Sequence, residues 1–246
     1  MAPSCFVSCI LRALTPSQTP SRYLTEFIGT FFLVLTIGLT VIEPGAGSLA
    51  PLAIGSVLMV MIYAGGHVSG AHYNPAVTLA VWLRGEHPTR DVLPYMGVQV
   101  LGAIVAGLLV FIFKAGSEVT SAQPDIVPTF LAELAFTFAL AYVVLNVATA
   151  TETSGNSYFG LAIGFTVMVG AYAVGPISGA VFNPAVAVAI SLMGLSSWVN
   201  IWIFFVAGFL GAALAAYAFK AIHPATDRPV MAVHESQSEH SRSVDR

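Results

Sequence analysis

Apolar and polar positions divide the chain into six long apolar runs, at about residues 23–42, 49–64, 92–113, 129–149, 158–174 and 198–219. A helix rising 1.5 Å per residue needs about 20 residues to cross a hydrocarbon core of about 30 Å, and these runs are close to that length. The breaks between them carry turn and polar residues, such as Glu43-Pro44-Gly45, the stretch RGEHPTRD from Arg84, and residues 114–128. Two further apolar runs, residues 74–83 and 183–193, are only half as long. Each opens on Asn-Pro-Ala, and Asn is a good N-cap while Pro suits the first helical position. The pattern therefore predicts six spanning helices and two half-helices of roughly 15 Å.

The two half-helices belong to one repeated text. Residues 66–85, GHVSGAHYNPAVTLAVWLRG, align without a gap on residues 175–194, GPISGAVFNPAVAVAISLMG. Gly66, Ser69, Gly70, Ala71, Asn74, Pro75, Ala76, Val77, Ala80, Leu83 and Gly85 all recur 109 positions later. Such self-similarity is an internal duplication. Three spans per copy is an odd number, so the second copy is inverted relative to the first, and the half-helix N-termini face each other at mid-membrane. Residues 67–73 and 176–182, just before the half-helices, are predicted to be non-helical. Irregular backbone survives at membrane depth only when buried in protein or lining a wet cavity. The carbonyls of Gly70, Ala71, His72, Tyr73, Gly179, Ala180, Val181 and Phe182 are accordingly expected to line water.

Charge sharpens this picture. Of 246 residues, 57% are hydrophobic and 9% charged, against about 25% charged in soluble domains. A net charge of −3 offers no basic surface for nucleic acid. Arg12, Arg22, Arg84, Arg90, Lys220, Arg228, Arg242 and Arg246 fall on one side of the predicted topology, and Lys114 alone falls on the other. By the positive-inside rule the arginine-rich side is cytoplasmic, so a multi-pass cell-membrane protein with both termini in the cytoplasm is expected. Residues 1–21 read as a cytoplasmic lead-in, since Arg12 follows the short apolar run 5–11 rather than preceding it. Repeat 1 covers about residues 22–113 and repeat 2 about 128–220, followed by a polar tail, 221–246, expected to be disordered. Cys5 and Cys9 read as free thiols in a reducing cytoplasm, with reversible acylation as the alternative.

Two carboxylates interrupt the apolar runs, Glu26 and Glu133, each four residues before a threonine, Thr30 and Thr137. An intramembrane carboxylate is costly and normally functional. One reading is a proton-coupling relay; the other is a buried acceptor that anchors the amides of the irregular loops. The presence of one acid in each repeat favours symmetric anchoring. His67 and His72 read as loop supports rather than metal ligands, because no Cys or carboxylate cluster accompanies them. No metal or other cofactor is expected. No nucleophile–base pair or phosphate loop is present either, so an enzyme is not indicated. Small residues at helix spacing, Ala103/Gly107 and Ala207/Gly211, suggest close helix crossings.

Paired Asn-Pro-Ala boxes on half-helices, with Glu26 and Glu133 leading the first and fourth spans, resemble the aquaporin (major intrinsic protein) family over about residues 22–220. The resemblance implies an all-α membrane protein: six transmembrane helices plus two re-entrant half-helices in an inverted repeat, forming a right-handed bundle. It also implies a homotetramer in the lipid bilayer with one pore per subunit, Asn74 and Asn183 meeting at mid-pore. Each asparagine oxygen can cap its own helix, leaving the NH₂ group to donate into the pore. About half a positive charge at each helix N-terminus makes that point unfavourable for cations and protons.

In the family four positions form an outer constriction, and here they fall on Ile54, Ala171, Ala180 and Val186. The last is most often Arg, and the position of Ala171 is often His in water-selective members; this chain has neither. Some tonoplast intrinsic proteins are similar in reading NPAVA at the second box, though they usually carry His where Ile54 stands. Glycerol facilitators typically follow the Arg with Asp, and Ala187 stands there instead. The expected function is a passive channel for water and small neutral solutes such as ammonia, urea or glycerol. Two alternatives stay open: a proton-coupled small-solute transporter using Glu26 or Glu133, and a structural membrane protein whose apolar constriction keeps the pore closed.

Overall fold

The structure, a computed structural model, describes residues 19–123 and 125–223. Cys5, Cys9 and nearly all of the lead-in and tail lie outside the described residues. The described residues form eight α-helices: α1 (Thr19–Val41), α2 (Ala50–Ser69), α3 (Pro75–Arg84), α4 (Thr89–Phe113), α5 (Ile126–Ala148), α6 (Phe159–Ser178), α7 (Pro184–Leu192) and α8 (Ile201–Ile222). Six are long and apolar enough to cross a membrane, and α3 and α7 are the half-helices.

Helices α2 and α6 overrun the ends expected at residues 64 and 174, continuing to Ser69 and Ser178. A glycine inside a helix costs about 1 kcal/mol, which made Gly65-Gly66 and Gly175-Pro176 look like stops. In an apolar setting an unpaired backbone amide costs more than that, so the helix persists. Each ends only where Gly70 or Gly179 adopts a left-handed conformation (φ 87° and 84°) and returns its N–H to Gly66 or Gly175. The irregular segments shrink to residues 70–74 and 179–183.

The duplication is visible in the packing. Helix α1 lies along α4 as α5 lies along α8, and each half-helix packs on the last helix of the other repeat, α3 on α8 and α7 on α4. At the α1–α4 crossing a Cβ on Gly102 would come 2.6 Å from the Phe27 carbonyl oxygen. One on Gly211 would come equally close to Leu134 at the α5–α8 crossing. Gly211 was an expected contact; in repeat 1 the backbone contact is made by Gly102, whereas Gly107 faces the Leu192 side chain. Ala103 and Ala207 are fully buried beside them. The outward faces stay apolar, with Leu101, Leu108, Leu131, Leu210 and Leu214 exposed, as lipid contact requires.

Candidate functional site

Asn74 and Asn183 cap the half-helices from an extended backbone. Asn74 Oδ1 accepts from Ala76 N (2.8 Å), and Asn183 Oδ1 accepts from Ala185 N (2.9 Å) and, more weakly, Val186 N (3.5 Å). Pro75 and Pro184 occupy the first helical positions, where no amide hydrogen is missed. The two amide groups then cross the repeat boundary: Asn74 Nδ2 donates to the Phe182 carbonyl (2.8 Å) and Asn183 Nδ2 donates to the Tyr73 carbonyl (2.9 Å). This corrects the expectation of wholly free NH₂ groups. One hydrogen of each amide is spent on the opposite loop, leaving one. Tyr73 and Phe182 both border the cavity, and each carbonyl, already accepting from an asparagine, keeps one lone pair.

The loops hang on the two carboxylates. Glu26 Oε1 accepts from Ser69 Oγ (2.7 Å) and His72 N (3.0 Å), and its Oε2 accepts from Tyr73 N (2.7 Å). Glu133 Oε1 accepts from Ser178 Oγ (2.7 Å) and Val181 N (2.9 Å), and its Oε2 from Phe182 N (2.7 Å). The serine hydroxyls in turn accept from Ala71 N and Ala180 N. In a planar trans peptide the C=O points opposite to the following N–H. The carbonyls of Gly70, Ala71 and His72, and of Gly179, Ala180 and Val181, therefore point away from the acids. Ala71, Tyr73, Ala180 and Phe182 take positive φ between 48° and 53° to make this possible, at roughly 1–2 kcal/mol per residue. Bulk holds the strained positions: the Tyr73 ring fills the space left by Gly29 and Gly65, and Phe182 packs on Gly170 and stacks on Phe136 at 5.5 Å.

Between the half-helices lies a narrow cavity of about 40 Å³, room for only a few waters at ~10–15 Å³ each. Asn74, Asn183, Ala71, His72, Ala180, Val181, Ile54 and Val186 all line it, and Glu26 and Glu133 do not. Ala171 is not on its wall; Ile163 and Val167 of α6 stand there instead, with Ala171 one turn further along. The facing wall includes Leu33 and Ile37 of α1 and Leu140 and Val144 of α5. These went unnoticed, although they stand seven and eleven residues after Glu26 and Glu133 in both repeats. Ala76 and Ala185 are fully buried under the boxes.

A wider vestibule of about 750 Å³ opens at the end that carries Arg22, Glu86 and His87. His67 is exposed there, in the last turn of α2, and so is not a loop support. Burial, and next the neighbouring His72, push the His87 imidazole down to about 4, so this wall is uncharged at His87 near neutral pH. Among the described residues no cluster of His, Cys, Asp or Glu could hold a metal. The sequence reading also missed Gln99, whose Nε2 donates to Glu26 Oε2 (2.9 Å) and Thr78 Oγ1 (3.0 Å). A lone amide in the Leu/Val/Gly-rich third span was the available signal.

The comparisons with known proteins agree with this geometry. The family model described as Major intrinsic protein matches residues 13–219. Aquaporin NIP1-4 of Oryza sativa subsp. japonica is 34% identical over 83% of this chain and 78% of its own length. Putative aquaporin NIP4-1 of Arabidopsis thaliana is 33% identical over 88% and 79%. The solved structure of the aquaglyceroporin from Plasmodium falciparum shares the fold, with a TM-score of 0.69 at 21% identity over 82% of this chain and 95% of that one. Asparagine-capped half-helices meeting head to head in an inverted repeat, and a family match across nearly all the described residues, lead to one conclusion: the chain belongs to the major intrinsic protein family and is a membrane channel, not an enzyme.

Proposed function

We propose that this chain is a passive channel conducting water and small neutral solutes through the cavity between Asn74 and Asn183, with ions and protons excluded there. The observation that carries the reading is the two-sided lining of that cavity. Asparagine amides and loop carbonyls form one polar stripe, and aliphatic side chains form the opposite wall. A solute can exchange its hydration for the stripe while its apolar side meets the wall, so the ~2–7 kcal/mol cost of an unpaired polar group is avoided. Two helix N-termini aimed at one point oppose cations. Glu26 and Glu133 act as loop anchors. Their oxygens are engaged by loop amides and serine hydroxyls away from the cavity, which disfavours the proton-coupled alternative.

Selectivity is set at Ile54, Ala180 and Val186, which line the cavity, and at Ala171 one turn beyond its α6 wall; none of these side chains supplies a donor or a fixed charge. We assign the arginine-rich end to the cytoplasm and expect a homotetramer in the cell membrane. The names of the plant relatives, aquaporins, accord with water conduction. Val186→Arg tests the filter. Placing a permanent cation and five donors at a position now 4% exposed should cut urea and ammonia permeation about tenfold or more in proteoliposomes, a barrier increase of ~1.4 kcal/mol or above. Water permeation should fall far less. Equal loss of water and urea would count against Val186 as a selectivity position.

A further inference from the structure

The two repeats are not chemically equal. Gln99, Thr78 and His72 form a buried polar chain in repeat 1, while the positions 109 residues later hold Gly208, Ala187 and Val181. Resting on the channel reading above, we infer that Thr78, oriented by Gln99, fixes His72 as the Nδ1–H tautomer, so that a bare Nε2 acceptor faces the conduit and favours solutes that bring a hydrogen-bond donor.

Counting donors and acceptors gives the direction of each bond. Glu26 is surrounded by four donors: Ser69 Oγ, the amides of His72 and Tyr73, and Gln99 Nε2. Four donors are what an ionised carboxylate accommodates, and it donates to none of them. Gln99 must therefore present its NH₂ group, one hydrogen to Glu26 and the other to Thr78 Oγ1 at 3.0 Å. Its own Oε1 is left buried without a partner, yet the flipped amide would press that oxygen against the carboxylate. The Thr78 hydroxyl has one hydrogen and two lone pairs. Gln99 takes one lone pair. The Asn74 carbonyl, 3.1 Å away and an acceptor only, takes the hydrogen. The remaining lone pair faces His72 Nδ1 at 3.1 Å, and that nitrogen completes the set only by carrying a hydrogen. The opposite tautomer would send the Thr78 hydrogen to His72, leaving two oxygens 3.1 Å apart with no proton between them.

The other ring nitrogen is the functional one. His72 borders both the central cavity and the vestibule, and the remaining side chains shared by the two, Ile62, Ala71, Val144 and Ile163, are apolar. His72 thus supplies the only side-chain polar atom at this neck among the described residues. Gly70 leaves room for the ring: a Cβ there would come 3.3 Å from Nε2. With Nδ1 as the donor, Nε2 adds a lone pair to a stripe already made of the Gly70, Ala71 and His72 carbonyls. Water, ammonia and urea can donate to all of these. An aprotic solute of similar size brings only lone pairs and meets lone pairs.

The test is nitrogen NMR of the full-length protein, ¹⁵N-labelled at histidine, in lipid bilayers, with the His72 signals identified by their loss in His72→Gln. The wild type should show a protonated Nδ1 and an unprotonated Nε2. Thr78→Ser should keep that pattern, and Thr78→Val should convert it to Nε2–H or to a mixture. In the same vesicles Thr78→Val should lower urea permeability about two- to tenfold, the value of one hydrogen bond, while Thr78→Ser stays near wild type. A wild-type Nε2–H signal, or an unaltered tautomer in Thr78→Val, overturns the proposal. A changed tautomer with unchanged urea flux overturns its selectivity half. The wild-type spectrum decides the tautomer even if Thr78→Val does not fold. Wild-type vesicles that conduct no solute would instead sink the channel reading and leave the tautomer as measured.

Discussion

Glu133→Ala is expected to give little folded protein. The substitution strands the amides of Val181 and Phe182 and leaves the hydroxyl of Ser178 only a long, 3.5 Å bond to the Val174 carbonyl, in a site where the acid itself is 1% exposed. Each buried donor without a partner costs ~1–3 kcal/mol, so two stranded amides and a weakened hydroxyl approach the ~5–15 kcal/mol that typically separates folded from unfolded states. The loss is compounded because Ala180 and Phe182 sit at positive φ and return to ordinary backbone once released. Yield and monodispersity on gel filtration, with thermal stability in detergent, report the result. The glutamine variants refine it. Glu133→Gln can keep its oxygen for Ser178 and Val181 but turns an NH₂ toward the Phe182 amide, losing one bond. Glu26→Gln loses two, because its second oxygen serves both Tyr73 N and Gln99 Nε2. The expected order of stability is wild type, Glu133→Gln, Glu26→Gln, Glu133→Ala. A Glu133→Ala protein with normal yield and flux would refute the anchoring role. A folded Glu133→Gln that conducts nothing, with wild-type uptake following a pH gradient, would restore the proton relay.

The second large effect is expected at the centre. Asn183→Asp puts a carboxylate where two helix N-termini converge and beside the Tyr73 carbonyl that now accepts from Asn183 Nδ2. The helix cap survives, because an Asp oxygen accepts from Ala185 N as well as Asn does. The sign of the local potential changes, and the hydrogen bond to the Tyr73 carbonyl is lost with the amide donor. Cation leak through folded channels should rise at least about tenfold, as each ~1.4 kcal/mol removed from a barrier does. Vesicle conductance and proton uptake measure it. An unchanged leak in a well-folded, water-conducting Asn183→Asp channel would mean that the ion barrier lies elsewhere.

Much of this architecture was readable from the chain because it is written twice. The 109-residue repeat and the Asn-Pro caps specify local structure that needs no partner to be recognised, and α3 and α7 begin where Pro75 and Pro184 stand. The ends of α2 and α6 were misread because propensity rules count the cost of Gly and Pro in water. In a membrane the alternative, an unpaired amide, is worse. The asparagine amides illustrate a second limit: capping is local, but the Tyr73 and Phe182 carbonyls they reach are 110 and 108 residues away. Periodicity does not state which atoms meet across the inversion. Gln99 was missed for the same reason, since its partners Glu26 and Thr78 lie on two other helices.

Stopped-flow light scattering on proteoliposomes loaded with the full-length protein, run with water, urea, glycerol and ammonia, tests the central claim most directly. Water, urea and ammonia permeabilities are expected to stand well above those of protein-free vesicles. Fluxes should be linear in the gradient, without saturation, and without accompanying proton current. Wild-type vesicles that conduct water rapidly while excluding urea, glycerol and ammonia would contradict the arginine-free filter proposed at Ile54, Ala171, Ala180 and Val186.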